Sequence, residues 1–482
     1  MRKTTKLAAV LTAGVLVAAS CGDDSSNTTA TEQTTSDTDP TSPTATAPST
    51  GSTDGDTTTD DTRDSAVAAD VAGFQVDVTV CEDPDRATQP IDGPITIGTS
   101  IPLSGGPAVL FAPFGDGMQA YVDYYNAEFG GVNGQEIQLV IKDDQYSADL
   151  TSTNVDQLIF DEDVDLLAGI IGSPNNQAIR DLTNDLCVPQ LWAATGDADW
   201  GAVDDYPWTT GLLTVYDIEA AIWAEYVASE IGEGATVGLF SVNNEFGKSY
   251  TEAFKRVAGD LGLEVVADEL IDPASTGAPS GQMTNLVAAN PDAILAVPLG
   301  AQCIAFMTEL GNAKAANPNF DPLVYQTATC ANQVFFGAVQ NGGQEGVFTS
   351  NNLKDVSNPD VADNDAAAMA YLDAFASSGS TADPSGIAGA GWGAAELAIW
   401  AIEQAAADGN LTREGIMNAA RNIDYEADLL RDGLTYKMSA TDGYIAEGAQ
   451  ILQWQGDGFV DVGEVTNLEG SLGVFEDGAA NA

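Results

Sequence analysis

Short apolar runs alternate with amphipathic segments along most of the chain from about residue 94 onward. The runs are rich in Val, Ile and Leu, which is typical of buried strands in a parallel sheet. The segments between them repeat their apolar residues at helical spacing. We therefore predict strands at 95–103, 136–144, 164–172, 188–194, 206–214, 235–242, 264–271, 292–299, 322–328 and 345–351. We predict helices at 114–129, 150–163, 175–186, 216–231, 247–261, 280–289 and 301–315.

The order of these elements predicts an α/β fold with two doubly wound parallel-sheet lobes. Strands that alternate with helices form βαβ units, and the series breaks near 209–217, where the second lobe begins. The end of the chain, 434–463, alternates apolar and polar residues with Gly-Asp turns, as in a hairpin or meander. A chain that crosses more than once between lobes forms a hinge, with the ligand expected in the cleft. Three late helices are predicted at 360–377, 388–407 and 412–421.

The amino terminus has the features of a secretion signal followed by a tether. A positively charged start precedes an apolar run at 7–19, which is too short to span a bilayer. Small residues lead directly into Cys21, so we expect a lipoprotein signal at 1–20 and a lipid on Cys21; an ordinary secretory signal is the alternative. Residues 21–65 are mostly Thr, Ser, Asp, Gly, Pro and Ala, which predicts a disordered tether. Lipid is then the expected attachment to the outer face of the membrane.

The charge of the chain and its lack of histidine exclude several classes of function. The chain has 72 Asp and Glu against 16 Lys and Arg and no His, so its formal net charge is −56. This acidity argues against nucleic-acid binding and against docking on anionic lipid, because both kinds of binding need basic side chains. Without His, Ser-His-Asp and Cys-His catalysis and imidazole metal ligation are excluded. We expect no metal and no cofactor.

An enzyme based on paired carboxylates, such as a glycosidase, is one alternative to a binding protein. Asp143 and Asp144 form the obvious pair. Neighbouring strand residues point to opposite faces, however, and an exposed strand end explains the pair more simply.

Four cysteines remain after Cys21: Cys81, Cys187, Cys303 and Cys330. An even number in an exported chain favours two disulfides over a metal site. Three pairings are open. We favour Cys81–Cys187 and Cys303–Cys330, because the last two cysteines follow successive predicted strands whose ends should be neighbours.

Five motifs, in order along both lobes, resemble the type I periplasmic binding proteins, and specifically the branched-chain amino-acid and amide-binding group of ABC-transporter receptors. They are ITIGTSIPLSG, FGGVNGQEIQLVIKDDQYSA, IIGSPNN, LWAATG and NNEFGKSYTEAFK. The resemblance implies two α/β lobes joined by three crossovers that close around a small solute. It implies lobe 1 at 94–213 plus 349–436 and lobe 2 at 214–348 plus 437–465, with an N-terminal extension at 66–93 and a tail at 466–482.

The resemblance also implies a subsite for an α-carboxylate at Ser173, Ala193 and Thr195. These residues follow predicted strands, where backbone N–H groups and helix N-termini receive anions. A plain N-cap is the alternative role of Ser173. Phe246 matches a family aromatic that covers the ligand, with core packing as the alternative.

Further candidates come from the sequence around the cleft. Leu110, Phe111 and Phe114 are expected on the loop after the first strand, along the apolar side. Trp392 opens a predicted helix and is either a ligand contact or a core aromatic.

The chain departs from the resemblance at one point. Amino-acid-binding members have an acid after the strand corresponding to 322–328, where it pairs with the ligand ammonium; this chain has Thr329 and Cys330 there. Leu299 stands where a tyrosine is frequent. A buried ammonium without a carboxylate is costly. We therefore expect a carboxylate or amide ligand with a more apolar body and no α-ammonium.

We accordingly expect a monomeric, non-catalytic receptor that captures a small organic solute and presents it to ABC permease subunits. A ligand sensor that signals to a membrane partner without transport is the alternative.

Overall fold

The computed structural model describes residues 73–470. The signal at 1–20, Cys21, the tether, and the tail from residue 471 onward lie outside the described residues. Within the described range, no helix is long and apolar enough to cross a membrane.

The first sheet has five parallel strands in the order β2-β1-β3-β4-β5. The bounds are β1 (Ile95–Ile101), β2 (Ile137–Asp143), β3 (Leu166–Ala168), β4 (Gln190–Ala193) and β5 (Thr209–Gly211). The first helices are α1 (Pro84–Ala87), α2 (Ala108–Phe129), α3 (Ala148–Phe160) and α4 (Ser173–Asp185). The predicted parallel sheet is confirmed, although β3 and β5 are shorter than their apolar runs.

The second sheet has seven strands in the order β14-β13-β10-β9-β8-β6-β7. Strands β6 to β10 are parallel to one another, and β13 and β14 add an antiparallel hairpin at one edge. The strand bounds are β6 (Thr236–Val242), β7 (Glu264–Ile271), β8 (Ala293–Val297), β9 (Leu323–Gln326), β10 (Phe348–Asn351), β13 (Gly448–Gln455) and β14 (Gly458–Asn467). The helices of this part are α5 (Tyr216–Glu230), α6 (Glu245–Asp260), α7 (Ser280–Ala289), α8 (Ala301–Ala316) and α9 (Gln333–Gly337).

Between β10 and β13 the chain returns to the first sheet. Helix α12 (Ile387–Ala407) packs against α2, β3 and β4, and α11 (Ala366–Ser377) packs against α2. The predicted helix at 360–377 is two helices, because Asp365 ends the first and accepts a hydrogen bond from the Ala368 N–H at the start of the second. The elements of this return are α10 (Pro359–Asn364), α11 (Ala366–Ser377), α12 (Ile387–Ala407), α13 (Arg413–Arg421), β11 (Asp424–Tyr425) and β12 (Tyr436–Lys437).

Helix α2 begins six residues earlier than predicted, at Ala108. The prediction failed because Pro113 interrupts the helical pattern. Two glycines, one on each helix, lie where α2 and α12 pack closely: a Cβ on Gly117 would lie 1.9 Å from the Ala388 carbonyl oxygen, and one on Gly391 would lie 2.0 Å from that of Phe114. The glycines therefore let α2 and α12 approach backbone to backbone.

Two disulfides are present, Cys81–Cys187 and Cys303–Cys330, as the sequence favoured. The first joins the N-terminal extension to the segment after α4. The extension is also held by a hydrogen bond from the Glu82 N–H to the Asp185 carbonyl (2.8 Å) and by the Arg86–Asp163 ion pair.

The disulfides should differ in their contribution to stability. Cys81–Cys187 closes a loop of 106 residues and Cys303–Cys330 one of 27. Chain-entropy arguments give about 4–5 and about 3–4 kcal/mol respectively. Guanidinium unfolding of the C81A/C187A and C303A/C330A double variants should therefore show the larger loss in the first. An equal or reversed order would contradict this prediction.

Candidate functional site

A cavity of about 100 Å³ lies at the carboxyl ends of strands from both sheets. The first sheet contributes Ile171 and Gly172 after β3, and Ala194 after β4. The second contributes Leu299 after β8 and Thr329 after β9. This edge of an open parallel sheet is where ligands bind, and the volume fits a small molecule.

The apolar wall contains most of the predicted apolar residues. Leu110, Phe111 and Phe114 line the cavity, but from the first two turns of α2 and not from a loop. Phe246, in the first turn of α6, and Leu299 line it from the other side. An aliphatic or aromatic solute body would therefore contact apolar groups on both sides.

A tyrosine that the sequence did not suggest covers part of this wall. Tyr146 stacks on Phe111 with ring centroids 5.8 Å apart, and a Cβ on Gly172 would lie 2.8 Å from the Tyr146 ring. Gln145 and Tyr146 both have positive φ (54° and 62°), so this loop has an unusual backbone. Asn or Gly at such positions is the usual sequence signal, and neither is present here.

The two acids before this tyrosine hold the loop in place. Asp143 accepts hydrogen bonds from the Leu103 and Ser104 N–H groups (2.9 and 3.2 Å). Asp144 is fully buried and accepts from the Ser100 hydroxyl and the Tyr146 N–H, each at 2.9 Å. The expectation of an exposed strand end is therefore wrong for Asp144. Its hydrogen bonds position the loop.

The residues proposed for an α-carboxylate do not line the cavity. The Ser173 and Thr195 hydroxyls are fully buried and 2.7 Å apart, and the Thr195 hydroxyl lies 3.4 Å from that of Tyr216, which does line it. Ala193 is buried within β4. Ser173 is also not the N-cap of α4, since Gly172 holds that position. A direct role of these three residues in binding stays a prediction.

Trp392 also lies away from the lining. Its ring meets Tyr121 edge-on at 4.8 Å and Tyr371 at 5.2 Å, and the side chain is fully buried between α2, α11 and α12. This arrangement matches the core-aromatic alternative.

One acid faces the cavity, and sequence analysis missed it. Glu219, in the first turn of α5, is the only charged side chain among the described residues that line the cavity. Its Oε1 accepts hydrogen bonds from the Tyr325 hydroxyl, the Ala328 N–H (2.7 Å) and the Ser350 hydroxyl (3.2 Å). Burial raises the pKa of Glu219, and these hydrogen bonds oppose the increase. Ala328 lies in the same stretch where the sequence lacks an acid.

Glu396 on α12 has similar partners outside the cavity. Its Oε1 accepts from the Tyr425 hydroxyl (2.8 Å) and the Asp428 N–H (2.9 Å), and burial raises its pKa to about 8. Between the ordinary glutamate pKa and about 8, the folded chain keeps a proton that the unfolded chain has lost. This group therefore lowers stability progressively as pH rises through that window.

Replacing Glu396 by Gln should remove this pH dependence. The unfolding free energy of E396Q, relative to wild type, should rise by roughly 2–4 kcal/mol between pH 5 and 8. Urea unfolding across that range measures it. Glu403→Gln, on the exposed side of the same helix, controls for the loss of one negative charge. Parallel stability curves for E396Q and wild type would contradict the prediction.

Comparison with known protein families shows which family the chain belongs to. A family model described as periplasmic binding protein matches residues 94–458. The chain belongs to this family. Proteins of this family are non-enzymatic, and membership implies an extracytoplasmic protein that binds a small molecule and works with a permease. No match was found among curated proteins.

Solved structures share the fold of this periplasmic binding protein at low sequence identity. A fatty acid ABC transporter substrate-binding protein from Thermomonospora curvata is 20% identical, with TM-score 0.67 and coverage of 81% of this chain and 95% of its own. A branched-chain amino acid ABC transporter protein from Thermus thermophilus with bound valine is 17% identical, with TM-score 0.69 and coverage of 80% and 99%. A solute-binding protein from R. palustris in complex with benzoate is 18% identical, with TM-score 0.66 and coverage of 78% and 98%.

Proposed function

We propose that this protein is the lipid-anchored, extracytoplasmic solute receptor of an ABC importer. It captures a small organic solute, namely a branched-chain amino-acid-like compound, an amide or a carboxylate, in the cavity between its lobes. The observation that carries the proposal is the cavity itself, because its walls come from the carboxyl ends of both sheets and are largely apolar. The solutes named for the three structural neighbours, fatty acid, valine and benzoate, are small acids with apolar bodies.

Two contacts between the assigned lobes, one on each side of the cavity, support closure of the lobes around the solute. We assign lobe 1 to 94–213 plus 349–436 and lobe 2 to 214–348 plus 437–465. The loop before α2 meets the start of α8, where a Cβ on Gly300 would lie 3.4 Å from the Pro107 Cα. Gly386, before α12, is similarly close to Ala331, because a Cβ on Gly386 would lie 3.4 Å from the Ala331 carbonyl oxygen. Both contacts flank residues that line the cavity, so opening the lobes would release the solute.

The proposal is tested by the solute that the purified protein retains. Denaturing extraction followed by mass spectrometry should yield one small organic compound near one equivalent, and adding that compound to solute-free protein should raise its melting temperature. Chemical turnover of the bound compound would overturn the assignment as a receptor.

Phe111 should contribute directly to affinity. Phe111→Ala removes an aromatic side chain that lines the cavity and stacks on Tyr146, so the dissociation constant for the retained solute should rise about 10- to 100-fold by calorimetry. Phe375→Ala is the matched control, because Phe375 is equally buried but packs on Tyr371 in α11. F375A should lower stability and leave affinity unchanged. Equal affinity losses in both variants would contradict a role of Phe111 in binding.

Cys21 should determine attachment to the membrane. Replacing Cys21 by Ser removes the thiol that accepts lipid, and the tether cannot anchor the protein without it. Fractionation of cells should show wild type in the membrane fraction and C21S in the soluble extracytoplasmic fraction or medium. Retention of C21S on the membrane would contradict lipid anchoring.

A further inference from the structure

Two tyrosine rings lie against glycines at the strand ends of the first sheet. Gly172 follows β3, and a Cβ on it would lie 2.8 Å from the Tyr146 ring. Gly196 follows β4, and a Cβ on it would lie 2.7 Å from the Tyr216 ring. Glycine at a strand end of an open parallel sheet lets a ligand come close to the backbone. In this chain a tyrosine ring occupies each of these two places.

The same two tyrosines are the cavity residues next to the buried hydroxyls of Ser173 and Thr195. Both tyrosines belong to the cavity lining, whereas Ser173 and Thr195 are not among the described residues that line it. Ser173 directly follows Gly172, and the Thr195 hydroxyl donates to the Tyr216 hydroxyl at 3.4 Å. Ser173 is 0% exposed and Thr195 is 1% exposed. The rings of Tyr146 and Tyr216 therefore separate this hydroxyl pair from a solute in the cavity.

The two rings differ in how firmly they are packed. Tyr216, the first residue of α5, is buried and packs on Phe246 and Tyr250 with ring centroids 5.4 and 5.1 Å apart. Tyr146 lies on the loop after β2, is half-buried and stacks on Phe111. Burial raises the pKa of Tyr146, and the charge interaction with Tyr216 adds to the increase, which places the two hydroxyls near each other. Tyr146 is therefore the ring that a substitution can remove with less disturbance of the core.

The backbone at Tyr146 favours a different residue. Its φ is 62°, a left-handed conformation that Gly and Asn adopt more readily than a bulky residue. The buried carboxylate of Asp144 holds this conformation by accepting a hydrogen bond from the Tyr146 N–H at 2.9 Å. An unfavourable backbone that the surrounding structure maintains is typical of functional sites. A large ring kept at this position indicates that the ring itself has a role.

On the basis of the proposed function, we propose that Tyr146 is a specificity-determining residue, which together with Tyr216 excludes the solute from the hydroxyls of Ser173 and Thr195. The Tyr146 ring then sets how far a solute can extend towards the first sheet, and longer solutes are rejected by a clash with it. The polar group of the solute binds to other residues of the lining. The expected carboxylate subsite at Ser173 and Thr195 is accordingly closed in this chain.

Thiol accessibility in Ser173→Cys tests this closure on the full chain without any solute. The substitution places a thiol of nearly the same shape behind the ring, and methyl methanethiosulfonate converts an accessible thiol to a mixed disulfide. Modification of the peptide that contains residue 173 should be at least about tenfold faster in S173C/Y146G than in S173C, because the ring no longer covers the thiol. Glycine suits the positive φ of position 146. Thr195→Cys gives the same readout if S173C does not fold.

Two further variants separate the ring from other causes of exposure. Tyr146→Phe keeps the ring, so S173C/Y146F should react as slowly as S173C. Phe375→Ala removes a buried ring of α11 outside the described cavity lining. S173C/F375A therefore reports exposure through a general loss of stability and should also react slowly. Fast modification of S173C itself, or equal rates in S173C/F375A and S173C/Y146G, would overturn the inference.

Binding gives an independent second readout. In calorimetry with the compound extracted from the wild-type protein, Tyr146→Gly should lose about tenfold or more in affinity, whereas Ser173→Ala should stay within about twofold of wild type. A tenfold loss in S173A would show that the solute reaches the hydroxyl pair, which would overturn the inference and leave the receptor function standing. If the protein retains no compound, the receptor function fails, and the thiol rates alone decide whether the tyrosines close this place.

Discussion

The close contact between α2 and α12 is the interaction on which the geometry of the cavity depends. Gly117 and Gly391 allow the two backbones to approach closely, and this contact holds α2 against α12. Its first turns then present Leu110, Phe111 and Phe114 to the cavity as one apolar wall. Because α12 reaches this position only after the chain has left and returned to the first sheet, the wall joins residues that are far apart in sequence.

Three buried acids among the described residues are bonded to hydroxyl and backbone amide donors. Asp144, Glu219 and Glu396 each accept hydrogen bonds from Ser or Tyr hydroxyls and from backbone N–H groups. No Lys or Arg donates any of these hydrogen bonds, in a chain that has 16 basic residues against 72 acids. Burial raises the pKa of each of the three. Enclosed carboxyls therefore keep unbalanced charge or a proton, which leaves them available to respond to a ligand or to pH.

Much of the fold could be predicted from local pattern, whereas the details of the site depended on tertiary contacts. Apolar runs located the strands and helical spacing located most helices, because strands buried on both faces of a parallel sheet are near-continuous apolar runs. The role of Glu219 could not be predicted from the sequence, because an acid in the first turn of a helix is common. Only the packing of α5 beside β9 and β10 brings it to the cavity. Ser173 and Thr195 were placed at the correct strand ends, but their mutual hydrogen bond cannot be read from spacing.

The Cys81–Cys187 bond also has a mechanical consequence. The chain before residue 73 joins the folded part through the extension, which is covalently linked to the segment after α4. Tension along the amino-terminal chain is therefore borne by a covalent bond on the first sheet before it reaches β1. The crossovers between the sheets lie downstream of that bond in the chain. In the lipid-anchored protein that we propose, a pull from the membrane therefore enters the fold at the first sheet.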